Sequence, residues 1–282
     1  MIAVTGATGQ LGRLIIERLV HQGVREVAAL ARAPQKGQDL GVAVREADYD
    51  RPDTLNAALQ GVATLVLVSS SEVGQRSQQH RNVIAAARAQ GVQRLVYTSV
   101  LHADRSPLNL AEEHRDTEAV LKASGIAYTI LRNGWYTENY TGALDGALAQ
   151  GAIVGCAGAG RISSATRADY ADAAVKVATS AGFEHQIHEL AGDESWTLVD
   201  LAAEVSRQTG RDIPYRDLPE TDYATVLVNA GVAKPVADMI AHWEVHIANA
   251  GALFDDKRGL SRLLGRPTTS LADAVKAALA AA

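Results

Sequence analysis

The residues best suited to chemistry stand near the start of the chain, in Val4-Thr5-Gly6-Ala7-Thr8-Gly9-Gln10-Leu11-Gly12. A short apolar run precedes them and an amphipathic segment follows. Strand, glycine turn and helix in succession are what a dinucleotide pyrophosphate requires. Gly6 permits a tight turn, Gly9 lets the backbone approach phosphate oxygens with no Cβ in the way, and Gly12 lets the helix pack closely on the strand. The start of the helix, with Thr8, Gln10 and Leu11 around it, offers free N–H groups and partial positive charge to an anion. An ordinary strand-to-helix turn is the competing reading, and the context on both sides of the glycines weighs against it.

A second candidate is Arg32. Val27 to Leu30 reads as a strand that runs into Ala31-Arg32-Ala33-Pro34. About 20 residues past the glycine turn, an NAD enzyme places Asp or Glu on the ribose hydroxyls. Here the position holds no acid but Arg32, with Lys36 nearby. A carboxylate would repel an added ribose phosphate, whereas a guanidinium pairs with it at short range. Such a contact contributes roughly 1.5–3 kcal/mol, about ten- to a hundredfold in coenzyme preference. NADP is favoured over NAD; the alternative is a solvated loop arginine.

Further polar residues close the remaining apolar runs. Asp48 follows Val42 to Ala47, where its side chain could meet an adenine, and Ser69-Ser70-Ser71-Glu72 follows Val62 to Val68. Leu95 to Thr98 leads to Ser99-Val100-Leu101-His102, and Tyr128 to Leu131 leads to Arg132-Asn133-Gly134-Trp135-Tyr136. Ligands of open parallel sheets bind at such carboxyl ends. Asn133 and Tyr136 read as pocket residues; Trp135 reads equally well as an anchor for a second lobe. His242 and His246 share a helical face, but the glutamate between them is misplaced for a zinc-peptidase motif and no third ligand is evident. His185 and His188 read as solvated, Gly155 to Gly160 as a flexible turn, and Cys156, without a basic neighbour, as unreactive.

The elements that must position these groups alternate. Helical spacing marks Leu11 to Val20, a short segment around Leu55 to Leu59, Gln75 to Gln90 and Ala111 to Ala123, each between two strands. The expectation is an α/β fold, a doubly wound parallel Rossmann-type sheet, with a smaller α+β C-terminal lobe. Residues 1–134 form the dinucleotide-binding domain, and 135–282 form the substrate-side lobe. The lobe's strands are Gln186 to Leu190 and Ile213 to Tyr215, and its helices lie near 198–208, 223–230, 235–248 and 271–280. Thr166 and Asp169 look like a helix N-cap, so a segment near 160–190 returns to the first domain and the boundary is interleaved.

Bulk composition narrows the classes. The 282 residues are 47% hydrophobic, enough for a substantial core, and the net charge of −5 without a basic run argues against nucleic acid. Cys156 is the single cysteine, which excludes an intramolecular disulfide and fits a reducing compartment. The first strand begins at Ile2, leaving no room for a signal peptide, and no apolar run reaches membrane-spanning length. A soluble cytoplasmic protein is expected, with monomer and homodimer both open.

Taken together, Thr5-Gly6-Ala7-Thr8-Gly9-Gln10-Leu11-Gly12, Ser69 to Arg76, Tyr97-Thr98-Ser99 and Tyr128 to Tyr136 resemble the NmrA-like atypical short-chain dehydrogenases. The likeness runs along essentially the whole chain and includes Ala191-Gly192-Asp193 and Trp196-Thr197-Leu198. Within that family the chain is most similar to the bacterial zinc-independent NADPH-dependent quinone oxidoreductases, with triphenylmethane dye reductases further off. The resemblance implies two-electron reduction of a quinone by NADPH with no metal or flavin. Gly6, Thr8, Gly9, Gln10, Leu11 and Gly12 would then hold the pyrophosphate and Arg32 the adenosine phosphate, while Ser69 and Thr98 border the nicotinamide. Asn133 and Tyr136 would border the ring to be reduced. One departure matters: aligned on Glu118, the Tyr-x-x-x-Lys pair of conventional members is replaced by Leu110 and His114. Leucine cannot donate a proton, so an alcohol–ketone reaction is disfavoured; a hydroquinone anion could take its proton from water or His114. The alternatives are a non-catalytic NADP(H) sensor of the NmrA-like type, or a reductase of another electron-poor aromatic such as a dye.

Overall fold

Apolar triplets and quartets flanked by amphipathic helices leave the central strands covered on both faces, and the computed structural model, which describes residues 1–281, is built that way, with its edge strands more exposed. In chain order come β1 (Ile2–Val4), α1 (Gln10–His21), β2 (Val27–Ala31), a 3₁₀ turn (Pro34–Leu40), β3 (Ala43–Glu46), α2 (Pro52–Ala58) and β4 (Thr64–Leu67). Then follow α3 (Arg76–Ala89), β5 (Arg94–Val100), α4 (Leu110–Ala123), β6 (Ala127–Asn133), α5 (Glu138–Thr141), α6 (Leu144–Gln150) and β7 (Ile153–Gly155). The chain ends through α7 (Arg167–Thr179), β8 (Gln186–Leu190), α8 (Leu198–Thr209), β9 (Tyr215–Asp217), α9 (Glu220–Asn229), α10 (Lys234–Ala250), α11 (Gly259–Leu264) and α12 (Leu271–Ala281).

Seven strands form one parallel sheet in the order β3-β2-β1-β4-β5-β6-β8. From β1 the chain winds one way to β3, then crosses back to β4 and winds the other way. The strand order therefore reverses between β1 and β4, and a crevice opens at their carboxyl ends. Side-chain alternation sorts the core. Val4, Val66, Val96 and Leu131 face α1 and α7, while Ala3, Leu65, Leu95, Tyr97 and Ile130 face the layer that holds Leu55, Val83, Ile84 and Leu121. Helix α7 can lie close to α1 because its buried positions include Ala171, Ala174 and Ala178. Thr166 caps α7, its hydroxyl accepting the Asp169 N–H at 3.2 Å, and β8 brings this stretch into the sheet beside β6.

The second lobe packs Leu144, Ile153, Trp196, Leu198, Leu201 and Val205 into a core that also takes Val100, Leu108 and Leu110 from the first. Three sequence expectations need correction. The turn expected from Gly155 to Gly160 starts later, at Gly158-Ala159: Gly155 ends β7, which pairs in parallel with β9, and a Cβ on it would lie 2.7 Å from Leu198. The second strand of that pair also starts at Tyr215 rather than Ile213, which is buried beneath α8 instead. Three-residue strands carry too little periodicity to be read. His188 is not solvated either; it is half-buried in β8 against Phe183, with its Nε2 sealed from solvent. Among the described residues no helix is long and apolar enough to cross a membrane.

One group in this lobe is costly. Glu244 on α10 is 6% exposed, and burial first of all, with Asp217 adding to it, pushes its carboxyl up to about 7. The folded state thus binds a proton that the unfolded chain releases near 4.5. Stability is accordingly lost as pH rises from about 4.5 to about 7, by at most about 3 kcal/mol, and stays lost above that. Glu244→Gln removes the ionisation and is expected to raise the melting temperature by several degrees at pH 8 but not at pH 5. Thermal melts at the two pH values check this; an equal shift at both contradicts it.

Candidate functional site

The first glycine of the turn adopts a left-handed backbone, φ +57°, which turns the chain out of β1 and under α1. The third has a different task from the one its spacing suggests. A Cβ on Gly12 would lie 2.2 Å from the Gly6 carbonyl oxygen and 2.9 Å from Ala7 Cα, so the helix packs on the turn itself, not on the strand. Gly9 caps α1 with no side chain, and the first turn of the helix carries no acid. Among the described residues, the backbone N–H groups of Gln10, Leu11 and Gly12 have no partner, which leaves an anion site. Thr5 locks the turn from below: its Oγ1 receives the Val68 N–H at 3.0 Å and lies 2.5 Å from the Tyr49 hydroxyl.

From this turn a cleft of about 650 Å³ runs along the switch point. Gly6, Thr8, Gly9, Gln10, Leu11 and Gly12 form its floor. Arg32, Lys36 and Asp48 line one end, Ser69 to Glu72 one side, and Tyr136 with Arg167 the rest. Arg32 is 67% exposed and bonds Glu72 Oε1 at 2.8 Å, while Gln79 bonds Glu72 Oε2 at 2.9 Å. An ion pair this exposed contributes about 0–1 kcal/mol, so a phosphate dianion can take Arg32 from it.

The serine-rich turn is held from behind. Thr98 does not line the cleft; it is buried, and its Oγ1 accepts the Ser69 N–H at 2.9 Å. Arg76 Nε bonds the Ser70 carbonyl at 2.7 Å, and the Ser70 N–H bonds His80 Nε2 at 3.0 Å. That acceptor role fixes the His80 tautomer: its Nδ1–H donates to Thr117 Oγ1 at 2.9 Å, which donates to the Glu113 carbonyl at 2.8 Å. Burial, with Arg76 beside it, pushes His80 down to about 3, so it stays neutral.

His114 is not brought to the cleft. It is 4% exposed, its Nδ1 lies 2.6 Å from the Tyr97 hydroxyl, and burial holds it far below the ordinary histidine range. It lines no part of the cleft described above. Leu110, four residues earlier, is sunk in the core shared by the two lobes.

Asn133 is buried at the end of β6, and its Oδ1 has no hydrogen-bond partner. Tyr136 beside it faces the cleft; burial raises its hydroxyl, and Arg167 and Asn133 oppose that rise. The Arg167 guanidinium lies 4.4 Å over the Tyr136 ring and bonds Asn139 Oδ1 at 3.0 Å. Sequence reasoning took this arginine only for part of a helix start. The signal available was its place directly after an N-cap, at the sheet edge where α7 begins beside α1. Trp135 packs edge-on against Trp243 and anchors the second lobe. His242 is exposed and His246 half-buried, with their Nε2 atoms 3.1 Å apart, and no cluster of three or more metal-ligating side chains occurs among the described residues.

These features fit a nicotinamide dinucleotide: a side-chain-free cradle, unpaired helix N–H groups, a displaceable arginine, and buried acceptors at Gln79 Oε1 and Asn133 Oδ1. Comparison with known proteins agrees. Residues 6–181 match the model of an NAD(P)H-binding family. The chain is 53% identical over 279 residues to quinone oxidoreductase 2 of Escherichia coli (strain K12), covering 98% of this chain and 97% of that one. The crystal structure of an Escherichia coli NADPH-dependent quinone oxidoreductase with NADPH superposes with a TM-score of 0.94 at 52% identity, covering 99% and 100% of the two chains. The Citrobacter sp. triphenylmethane reductase complexed with NADP(H) gives 0.94 at 35% identity, with the same coverage. The chain therefore belongs to the NAD(P)H-binding family, as an NmrA-like atypical short-chain dehydrogenase.

Proposed function

We propose that this protein is an NADPH-dependent quinone reductase that works by direct hydride transfer. The observation that carries the reading is the cleft itself. One continuous channel joins a phosphate-binding helix start and an exposed arginine to an aromatic platform, with an unpaired buried amide oxygen beside it. The likeness to the Escherichia coli quinone oxidoreductase over nearly the full length of both chains supports it.

When bound, NADPH supplies the hydride; the protein supplies position and charge. The N–H groups of Gln10, Leu11 and Gly12 hold the pyrophosphate over the Gly6–Gly12 turn, and Thr8 flanks it. Arg32 leaves Glu72 for the adenosine phosphate, with Lys36 adding positive charge. Ser69, fixed by Thr98, borders the nicotinamide side. Asn133 Oδ1 accepts a hydrogen bond from the coenzyme or from the reduced ring, and Tyr136, backed by Arg167, gives a flat acceptor its face. One hydride, a proton with two electrons, would pass to the quinone and leave the nicotinamide oxidised, and the resulting hydroquinone anion would take its second proton from water. His114, expected as one source of that proton, is withdrawn because it is sealed against Tyr97. In this reading His114 serves as a structural contact. A cytoplasmic setting, where NADPH is made and Cys156 stays reduced, completes the reading.

The assay is direct: purified protein, NADPH and 1,4-benzoquinone, with nicotinamide absorbance followed against the uncatalysed rate. Binding of NADPH without turnover identifies a sensor, and turnover with a triphenylmethane dye alone identifies a dye reductase. Two variants probe the parts. Arg32→Ala is expected to raise KM for NADPH roughly tenfold, about 1.4 kcal/mol, with NADH changed less than twofold. Glu72→Gln removes the competitor for Arg32 and is expected to lower the NADPH dissociation constant severalfold, again without effect on NADH. Equal effects on both coenzymes remove these assignments. His114→Gln is expected to lower the melting temperature while kcat stays within threefold and flat from pH 6 to 8.5; a large fall in kcat reinstates it as the acid.

A further inference from the structure

A second cavity, of about 210 Å³, lies in the small lobe and shares no lining residue with the coenzyme cleft. Most of its wall is aliphatic, from Leu144, Ile153, Leu198, Leu201, Val226 and Leu227, and the exposed Asn139 and Gln150 mark its mouth. Three further polar side chains line it: Tyr140 from α5, Tyr223 from α9 and the carboxyl of Glu244 from α10.

The carboxyl is fitted rather than accidental. Its Oε2 takes the Cys156 N–H at 2.7 Å, and a Cβ on Gly155 would lie 2.8 Å from that same oxygen. Strand β7 thus gives up a side chain where the carboxyl sits. The Tyr223 hydroxyl faces it as well. Among the described residues no arginine, lysine or histidine pairs with it, and Asp217 on β9 adds negative charge nearby. Accepting one backbone N–H does not require an acid; a glutamine would serve without the stability lost above pH 7. A carboxyl retained at that cost in an apolar cavity is a binding feature. What it lacks is a cation, and phenol groups beside a carboxyl are the surroundings in which ammonium groups are recognised.

We propose that this cavity is a binding site for a small organic cation, an ammonium group on a single-ring or short-chain apolar body, with Glu244 as its counter-charge. The size agrees, since a cavity of about 150 Å³ accommodates benzene and the remaining space takes a short charged arm. The groups facing Glu244 are Tyr140, the Cys156 thiol, Tyr215 and Asp217 on β9, and Tyr223. Burial raises the three tyrosines and pushes the thiol up to about 12, so the carboxyl is the group that ionises near neutrality. Cation binding therefore strengthens as pH rises through 7.

The test is calorimetric titration of the full-length protein with benzylammonium chloride, which stays charged between pH 6 and 8, and with benzyl alcohol as the neutral counterpart. Benzylammonium is expected to bind at pH 8, at least fivefold more weakly at pH 6, and more tightly than benzyl alcohol at pH 8. Glu244→Gln, checked as folded by circular dichroism, is expected to weaken it at least tenfold while leaving benzyl alcohol unchanged. No heat of binding at pH 8 up to 10 mM, pH-independent binding, or equal affinity for the alcohol overturns the proposal. The pH series on the unaltered protein decides the matter whatever the variant does, and none of these readings depends on quinone turnover.

Discussion

The approach of α1 to its own glycine turn is the constraint on which the rest of the structure depends. With the Gly6 carbonyl 2.2 Å from where a Cβ on Gly12 would stand, the helix can begin only where its first N–H groups open on the crevice. Any side chain there would push α1 off the turn and tilt its N-terminus away from the switch point. Everything downstream assumes that this terminus is in place: the cleft floor, the bearing of α7 against α1, and Arg167 at the start of α7.

Charge is distributed unevenly around that point. The cleft keeps cations at its edges, where Arg32 stands exposed and paired with Glu72. Behind its serine-rich wall Thr98, His80, Thr117 and the Tyr97–His114 contact are neutral and mutually satisfied, and the one charge there, Arg76, is paired with Glu113. An arrangement of this kind holds backbone in position without adding titrating groups that would make the rate depend on pH. The neighbouring Arg132 does the same at the far side of β6, clamped by both oxygens of Glu118 at 2.9 Å and by Glu189 at 2.7 Å. Helix α4 presents Leu110 to the core shared by the two lobes and His114 to Tyr97, so neither position of the pair sought in the sequence opens on the cleft.

The parallel sheet was legible because its central strands are dense apolar runs closed by polar residues, and the helices between them keep a steady 3.6-residue spacing. The return of residues 167–190 was signalled by Thr166 and Asp169, whose cap forms as the spacing implied. Glycine positions located the tight turn between β1 and α1, but not what Gly12 packs against, since a motif does not say which backbone approaches which. Long-range pairing was hidden altogether. Glu72 belongs to a turn 40 residues from Arg32, and Tyr97 is 17 from His114, so neither contact leaves a local pattern. The small lobe was least legible because three-residue strands and alanine-rich helices carry weak periodicity, and its buried acid looks like any helix-surface glutamate.

The central claim is that a phosphorylated dinucleotide lies across the carboxyl edge of the sheet with its pyrophosphate on α1. A crystal structure of the protein grown with NADPH tests it most directly. The account requires phosphate density within hydrogen-bonding distance of the Gln10 and Leu11 N–H groups, and Arg32 turned from Glu72 onto the adenosine phosphate. An N-terminal glycine crevice left empty in the presence of saturating NADPH would contradict it.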